Sequence, residues 1–456
     1  MKKKKLLLSI CGALLLTSSL ANAQEYRKII GPNTAFQDVN DNGVGVMLGY
    51  VYSWSTDKAV PKESSIYRLY SINNNGDMTG GITSTASNRV PAFKLNGSST
   101  WTQIPFPENT TSSKTFTECV PYQISENGRY VVGSMGVFDQ ILQTNMVIPF
   151  IYDTTTGVVT RPMNSDFKDG TLYGVNDSGN VGGWVDIPIQ GNATTRRVAT
   201  LYSNSGVFQY IKNNKGELPK VITNEVKGIN KNGVAVGQFD NLPFIYDPAS
   251  DTYTEFANPD PATYFGGAFS SISDDGTVVG MWYNGGQKNR FAIIYNPSLG
   301  TTPKDLKTFL EDKGVAVNSS GSLGNMGPAI AISPNGKYVA GFEDGPAVQA
   351  YGWIVSMPEK YLANNDTKVN ITNINVYPNP VIDELTVDLK SSKSGIAKVE
   401  LYSMEGKLLL AENKNMTNGA NNFKMNVAQV AKGTKNLILV INTPEGNRIT
   451  KKLVMK

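Results

Sequence analysis

The 456-residue chain contains no histidine and only two cysteines, Cys11 and Cys119. The lack of histidine excludes Ser-His-Asp and Cys-His catalysis, and it excludes zinc and haem sites that use histidine ligands. One cysteine is left once the N-terminal segment is removed, so no intramolecular disulfide can form and no thiolate cluster can hold a metal. We therefore predict no cofactor, and we expect Cys119 to be buried and inert.

Charged residues are also sparse, at 18% of the chain, with 42 basic and 38 acidic residues. Four of the basic residues stand at positions 2–5, so the remainder of the chain is balanced at 38 against 38. No basic stripe follows in either half, and we predict no nucleic-acid partner.

The N-terminus has the pattern of a signal peptide. Four lysines at 2–5 precede an apolar stretch, Leu6–Leu20, and a small-x-small site, Ala21-Asn22-Ala23. Fifteen apolar residues are few for a transmembrane anchor, and no stop-transfer pattern follows. A lipoprotein signal at Cys11 is disfavoured because a small residue is wanted before it and isoleucine stands there. We predict a signal peptide over 1–23, cleavage before Gln24, and no integral membrane segment thereafter.

What the sequence does have is a ten-residue unit, seen at Ser271–Gly280, in which a β-branched residue precedes Ser or Asn, two mostly polar residues and Gly. A short apolar run follows. The Ser or Asn side chain can bond the backbone two residues on, and Gly supplies the positive φ that closes a hairpin. The unit occurs seven times, around Gly43, Gly76, Gly128, Gly179, Gly233, Gly276 and Gly336.

The spacing of these turns, 33 to 60 residues, is typical of a β-propeller. Around Gly233 four strands are predicted, at Lys227–Asn230, Val234–Phe239, Leu242–Asp247 and Thr252–Phe256. We predict an all-β fold over 24–357, a propeller of seven blades or alternatively six.

Three local features qualify this prediction. Asp57–Ser65 has the composition of a loop, which leaves the first repeat short of strands. Pro303–Gly314 predicts a short surface helix because Leu306, Phe309 and Leu310 share one helical face. Circular closure would let a strand near Tyr26–Ile30 complete the last blade.

The hairpins resemble the HAF-repeat group of extracellular proteins. Gly174–Gly179 and Gly228–Gly233 match its Gly-Ile-Asn-x-x-Gly turn, and Phe291–Tyr295 approximates its Ala-Phe-Leu-Tyr strand, although the eponymous His is absent. The resemblance covers roughly 36–357. It is structural and implies no general activity.

The recurring apolar runs of the repeats do not continue through residues 358–370, which are predicted to be a linker. From 371 to 456, short strands at Glu384–Leu389, Ala397–Ser403, Lys407–Leu410, Asn436–Asn442 and Arg448–Val454 predict a small Ig-like β-sandwich.

This last segment resembles the type A C-terminal sorting domain of the type IX secretion system of Bacteroidota. The matching residues are Tyr377, Pro378, Asn379, Pro380, Gly406, Lys407 and Gly433, with the terminal Lys452–Lys456. The resemblance implies export by Sec, passage through the outer membrane, and removal of the segment by the system's sorting peptidase. The chain would then be secreted or anchored at the cell surface, with the secretion machinery as its partner.

The sequence offers few candidate metal-binding or catalytic residues. Asp38–Gly43 matches the first half of a calcium loop, but position twelve falls on Gly49 rather than Glu, so a plain hairpin is preferred. Loop carboxylates could support glycoside cleavage, although no spacing selects a pair. They are Asp186, Glu217, Glu225, Asp251 and Asp260.

Aromatic residues follow two of the turns. Trp184, Trp282 and Tyr283 could stack on a sugar or a peptide at one propeller face, although packing between blades is the favoured interpretation. Because turn glycines and apolar repeats account for nearly every recurrent residue, we predict a non-enzymatic binding protein with a glycan or peptide ligand. The alternative is a secreted carbohydrate-active enzyme that uses the loop carboxylates.

Overall fold

A computed structural model describes residues 25–83, 89–106, 114–141, 143–162, 169–188, 195–204, 206–221, 223–284, 290–318, 326–343, 351–358, 374–391, 393–403, 407–428, 436–444 and 448–455. The predicted signal peptide lies outside these residues, as does most of the predicted linker. The chain divides into two compact units, Met1–Leu362 and Ala363–Lys456. In the part of the chain that is described, no helix has the length and apolar character needed to cross a membrane.

The regular secondary structure of the described residues of the N-terminal unit is almost entirely strand. The first thirteen are β1 (Tyr26–Ile29), β2 (Phe36–Val39), β3 (Val44–Met47), β4 (Tyr50–Ser53), β5 (Lys58–Pro61), β6 (Ile66–Ile72), β7 (Met78–Thr83), β8 (Arg89–Lys94), β9 (Thr102–Gln103), β10 (Lys114–Ile124), β11 (Tyr130–Asp139), β12 (Thr144–Asp153) and β13 (Val158–Thr160). The next eight are β14 (Gly170–Val175), β15 (Val181–Pro188), β16 (Thr195–Tyr202), β17 (Phe208–Tyr210), β18 (Glu225–Ile229), β19 (Ala235–Phe239), β20 (Leu242–Asp247) and β21 (Thr252–Glu255). The last are β22 (Gly266–Ile272), β23 (Val278–Tyr283), β24 (Arg290–Tyr295), β25 (Lys304–Asp305), β26 (Ala329–Ile332), β27 (Tyr338–Glu343) and β28 (Tyr351–Ser356), with a 3-10 turn at Pro297–Leu299 and helix α1 at Leu306–Glu311.

Consecutive strands pair antiparallel in groups of four, which is the topology of a β-propeller. The groups are β2–β5, β6–β9, β10–β13, β14–β17, β18–β21 and β22–β25. The second and third merge into one eight-stranded sheet because β8 and β10 also meet in parallel, at Arg89 and Glu118. The last group takes β1 from the start of the chain, so that Tyr26 faces Val355. This pairing confirms the predicted closing strand near Tyr26–Ile30.

The turns work as the sequence predicts. In the fifth group, Asn230 Oδ1 accepts the backbone N–H groups of Asn232 (3.0 Å) and Val234 (3.1 Å). Gly233 follows at φ +84°, a conformation that a residue with a Cβ adopts only under strain. The segment that matches the first half of a calcium loop forms the β2–β3 hairpin in the same way. Asn40 Oδ1 accepts hydrogen bonds from the backbone N–H groups of Asn42 and Val44.

Hydrogen bonds join each turn to the next in a closed circuit, which we call the turn belt. The final turn bonds back to the first, so the circuit returns to its start after seven turns. The belt consists of Asp41 N to Asn74 Oδ1 (2.8 Å), Asn74 N to Glu126 Oε2 (2.9 Å), Asn127 N to Asp177 Oδ1 (2.7 Å), Asn176 Nδ2 to Asn230 O (3.3 Å), Asn230 Nδ2 to Ser273 O (3.2 Å), Asp274 N to Pro334 O (2.7 Å) and Asn335 N to Asp41 Oδ1 (2.8 Å).

Apolar side chains fill the space between neighbouring groups. At the closure, Phe36 and Tyr52 of the first group share a core with Tyr338 and Ile354 of the last. The predicted helix is confirmed as α1, where Asp305 caps the N-terminus by accepting the N–H of Thr308. Its apolar residues join the core as the helical spacing requires; they are Leu306, Phe309 and Leu310.

One local prediction is wrong. Asp57–Ser65 is not simply a loop, because Lys58–Pro61 forms β5 and pairs with β4, with Lys58 opposite Ser53. All four residues of β5 are exposed, so the strand lacks the alternation of apolar residues by which a strand is recognised in a sequence. The first repeat therefore has its full set of four strands.

The C-terminal unit holds two sheets over one core. Its strands are β29 (Asn375–Tyr377), β30 (Glu384–Ser391), β31 (Gly395–Ser403), β32 (Leu408–Met416), β33 (Gly419–Asn426), β34 (Asn436–Asn442) and β35 (Arg448–Val454). One sheet has the order β29-β30-β33 and the other β32-β31-β34-β35. Leu385 and Met425 from the first sheet lie in the same buried cluster as Val399 and Leu439 from the second.

Candidate functional site

A cavity of about 390 Å³ lies where the innermost strands of all seven groups face one another. Each innermost strand carries a β-bulge, at the sixth residue before its turn glycine. A bulge turns a side chain away from the alternation of the strand. All seven bulged residues line the cavity, and they are Gln37, Tyr70, Tyr122, Tyr173, Lys227, Ser270 and Ile330.

In several groups the bulge accompanies a close contact with a glycine of the second strand. At Gly237 in β19, a Cβ would lie 1.9 Å from the carbonyl oxygen of Glu225 in β18. The same distance is found between Gly183 and the carbonyl oxygen of Thr171. Only glycine permits this approach, which holds the inner strand in the conformation that directs Lys227 and Tyr173 to the cavity wall.

Three of the seven bulged residues form a continuous aromatic arc, Tyr70–Tyr122–Tyr173. The ring centroids of Tyr70 and Tyr122 are 6.1 Å apart, and those of Tyr122 and Tyr173 are 4.7 Å apart, both edge to face. Burial raises the pKa of Tyr70 to about 12 and that of the other two further, so all three are neutral phenols at physiological pH.

An ion cluster adjoins one end of the arc. Lys227 Nζ lies 2.5 Å from a carboxylate oxygen of Glu225 and 5.5 Å from the ring centroid of Tyr173. Arg197 lies 3.7 Å from the other carboxylate oxygen of Glu225. Burial acts to raise the pKa of Glu225, but Lys227 and Arg197 outweigh it and hold that pKa below its usual value. Lys227 is therefore neutralised by an ionised partner.

Acidic residues gather at the end of the cavity where the turns lie. Asp38, Glu126, Asp177 and Asp274 line this end, and Asp41 stands in the turn belt beside them. Burial raises the pKa of Asp38 to about 6, even though Ser71 Oγ donates to it at 2.7 Å. Burial also raises the pKa of Glu126 to about 8, and the nearby carboxylates of Asp38, Asp41 and Asp177 add to the effect.

The aromatic residues singled out from the sequence lie elsewhere. Trp184 is 6% exposed, under the guanidinium of Arg197 at 3.7 Å, and Trp282 is 4% exposed in a core cluster. Tyr283 is half-buried, and its hydroxyl accepts a hydrogen bond from Gln238 at 2.6 Å. Neither indole is presented to solvent, and none of the three lines the cavity.

Four of the five loop carboxylates have other surroundings. Glu217, Asp251 and Asp260 accept hydrogen bonds from Asn213, Tyr246 and Thr263 respectively, each within its own loop or hairpin. Asp186 lies in β15, where burial raises its pKa. Glu225 alone contacts a residue of the cavity wall, through its ion pair with Lys227. The described residues include no group of acidic or cysteine side chains arranged to hold a metal ion, and Cys119 is fully buried, as predicted.

In the C-terminal unit the Tyr-Pro-Asn-Pro segment contacts the last strand. Asn379 Oδ1 accepts the N–H of Val454 at 2.9 Å, and Val381 N donates to Val454 O at 2.7 Å. Tyr377 lies in β29 and is half exposed, and Lys407 immediately precedes β32. Gly406 and Gly433 lie outside the described residues, as do Ala21, Ala23 and Gln24.

Sequence reasoning missed the cavity, although the sequence holds its signal. When the repeats are aligned on the turn glycine, the sixth residue before it is Tyr in three successive repeats and then Lys. The position is neither apolar throughout nor part of the turn, so hydrophobic periodicity passes over it. Only the bulge reveals that these side chains face one space.

Residues 375–456 match the family described as secretion system C-terminal sorting domain. The chain is therefore secreted through the type IX system, to the medium or the cell surface, and this unit interacts with the secretion machinery. No curated protein matches the chain.

Several solved structures are similar to the chain in fold. They include oligogalacturonate lyase from Vibrio parahaemolyticus (14% identity, 73% of this chain and 92% of that one, TM-score 0.45) and the β-propeller domain of the Trilobed protease from Pyrococcus furiosus (10%, 72% and 93%, 0.43). TolB from Acinetobacter baumannii is also similar (10%, 73% and 79%, 0.36). At these scores we infer no activity from the likeness.

Proposed function

We propose that this secreted protein is a non-enzymatic binding protein whose ligand occupies the cavity lined by the seven bulged residues. The protein would comprise a signal peptide (1–23), a seven-bladed propeller (24–357), a linker (358–370) and an Ig-like sorting domain (371–456) that the sorting peptidase removes. The turn belt, which closes after seven turns, supports seven blades rather than six. The likeness to HAF-repeat proteins stays a prediction.

One observation carries the proposal: equivalent positions in the seven repeats hold different side chains that converge on one space. If the bulged residues served packing alone, we would expect similar apolar residues in each repeat. Instead one arc is aromatic, one position is a lysine held by Glu225, and Gln37 and Ser270 are polar. A volume of about 390 Å³ is within the range of small-ligand sites.

Filling the cavity tests the proposal. Ser270→Trp places an indole in the space, and Ser99→Trp makes the same change at an exposed position outside it. The exported protein is screened for binding to pectin, xylan, dextran and short peptides of basic, acidic and aromatic composition. We expect a probe bound by the wild type and the Ser99 variant to be lost in the Ser270 variant. Equal binding by all three proteins would place the site elsewhere.

The second candidate function is a carbohydrate-active enzyme, and one observation supports it. Asp38 and Glu126 line the same cavity with pKa values of about 6 and about 8, so an ionised and a protonated carboxyl coexist near pH 7. Such a pair can act as base and acid. Release of reducing sugar from a bound polysaccharide, abolished by Glu126→Gln, would establish this alternative. Binding without turnover would support the binding protein.

A further inference from the structure

We propose that the ligand of this cavity is an organic cation, an ammonium or guanidinium group held between the tyrosine arc and the carboxylates at the turn end. The inference rests on the proposed binding function and specifies its ligand class.

The charges that line the cavity do not balance. Its two lysines are already paired, Lys227 with Glu225 at 2.5 Å and Lys231 with Asp274 at 3.1 Å. Asp38 and Asp177 have no cationic side chain within 4.0 Å among the described residues, and neither has Glu126, which becomes a third unpaired charge when it ionises. A positive ligand would complement this surplus, whereas an anionic one would be repelled by it.

The access route leads past these acids. Asp177 and Lys231 are exposed and Glu126 is half-buried, so the turn end opens to solvent. Farther along the inner strands, next to Asp38, lie the bulged residues with the arc of three tyrosines. Aromatic rings attract cations through their quadrupole, and the attraction strengthens where water is displaced. Carboxylates at the entrance followed by aromatic rings suit an ammonium or guanidinium group on an aliphatic stem.

Two other ligand types fit less well. A divalent metal ion needs several carboxylates converging within about 2.6 Å of one point, and the described acids form no such group. A neutral sugar would use the tyrosine rings but would leave the buried acids without compensation. Ser270 Oγ, buried in the wall and without a hydrogen-bond partner among the described residues, can accept from a ligand N–H group.

Cation binding should be linked to proton release. Glu126 lies near the carboxylates of Asp38 on β2 and of Asp41 and Asp177 in the turn belt, and the Lys231–Asp274 pair lies near Asp41. Its raised pKa keeps it largely protonated at pH 7, and a bound cation would favour the ionised form. Affinity should therefore rise between pH 6 and pH 9.

The test is calorimetry with the exported protein and four probes. Spermidine represents a free organic cation and trilysine amide a basic peptide. Trilysine amide acetylated on all four amino groups is the neutral probe, and Ca²⁺ is the metal probe. We expect spermidine, trilysine amide or both to bind about tenfold more tightly at pH 8.5 than at pH 6, releasing protons, while the other two do not bind. Tighter binding of spermidine would indicate that the ligand is a free organic cation, and tighter binding of trilysine amide would indicate a basic peptide.

Variants separate this ligand class from nonspecific attraction. Glu126→Gln keeps the oxygen that accepts from Asn74 N, and it should remove most of the pH dependence. Tyr122→Leu should weaken binding about tenfold, whereas Tyr122→Phe should not. Asp312→Asn removes a charge from an exposed helix end outside the cavity and should change nothing.

Each remaining result decides against the inference. Binding of Ca²⁺ or of the acetylated peptide at similar strength, no binding of either cation below 1 mM, or cation binding unaffected by both Glu126→Gln and Tyr122→Leu would overturn it. If a neutral probe binds the wild type and its binding is lost in Ser270→Trp, the ligand is not a cation, but the cavity is still the binding site. Binding that survives Ser270→Trp would reject both proposals.

Discussion

Replacing Gly237 by alanine tests the contact that holds the bulge in β18. The added Cβ would lie 1.9 Å from Glu225 O and 3.0 Å from the Cα of Val226, both backbone atoms. Because carbon and oxygen cannot approach within about 3 Å, β18 and β19 would have to separate by about 1 Å. β19 is also paired on its other side, to β20, so the strain cannot be relieved by moving a single strand. We expect a loss of about 3 kcal/mol in the free energy of unfolding.

The matched control is Gly216→Ala. Unlike Gly237, Gly216 has a positive φ, +75°, and no atom lies within 4 Å of its Cβ position. Alanine there should cost about 1 kcal/mol from backbone strain alone. Guanidinium unfolding followed by tryptophan fluorescence gives both values; in a domain of this size a loss of 3 kcal/mol lowers the melting temperature by about 4 °C. If Gly237→Ala costs no more than Gly216→Ala, the close approach and the bulge it supports are misassigned.

Further predictions concern the turn belt, pH, the thiol and export. Asp41→Ala should cost about 2–4 kcal/mol in unfolding experiments, whereas Asp41→Asn should cost about 1 because it keeps an acceptor for Asn335 N. Glu126 has a folded pKa of about 8, above its ordinary value of 4.5, so its contribution to stability is complete below pH 4.5 and is lost as the pH rises through 8. Glu126→Gln should therefore match the wild type at pH 4 and exceed it at pH 8.5 by on the order of 2 kcal/mol; an equal difference at both pH values would contradict this. Cys119, whose pKa burial raises to about 12, should react with a thiol reagent at pH 8 only after denaturant is added. Deletion of 375–456 should leave the folded N-terminal unit in the periplasm, which fractionation and immunoblotting would show. Its appearance outside the cell would contradict the role of residues 375–456 as the sorting signal.

Much of the fold could be predicted because its repeating element is local. The Asn or Ser side chain, the turn glycine and the apolar run lie within ten residues, and their geometry follows from short-range hydrogen bonds such as Asn230 Oδ1 to Val234 N. Strands with apolar alternation were found on this basis. Several strands lack that pattern, among them β5 and β33. All four residues of β5 are exposed, and β33 buries Met425 but has no apolar run.

The cavity could not be predicted for a different reason. A bulge depends on the fit of two backbones, as at Gly237 and Glu225, and no residue type in the bulged position itself announces it. Trp184 and Trp282 stand out in the sequence because they follow two of the turns, yet Trp184 is covered by Arg197 and Trp282 is packed in a core. The significance of Tyr70, Tyr122 and Tyr173 emerges only when their repeats stand side by side.

The pairing of β1 with β28 has a mechanical consequence. The two ends of the N-terminal unit are fastened to each other, with Ser356 N bonded to Glu25 O at 3.1 Å. β28 is the last described strand of this unit, and it lies between β27 and β1 rather than at the edge of its sheet. A force applied to the sorting domain during export would therefore load two rows of backbone hydrogen bonds at once. To start unravelling, it would have to pull β28 out from between two neighbours. The strand that takes the load is thus supported on both sides, by β1 and by β27, so a pull on one end would not separate the sheet one strand at a time.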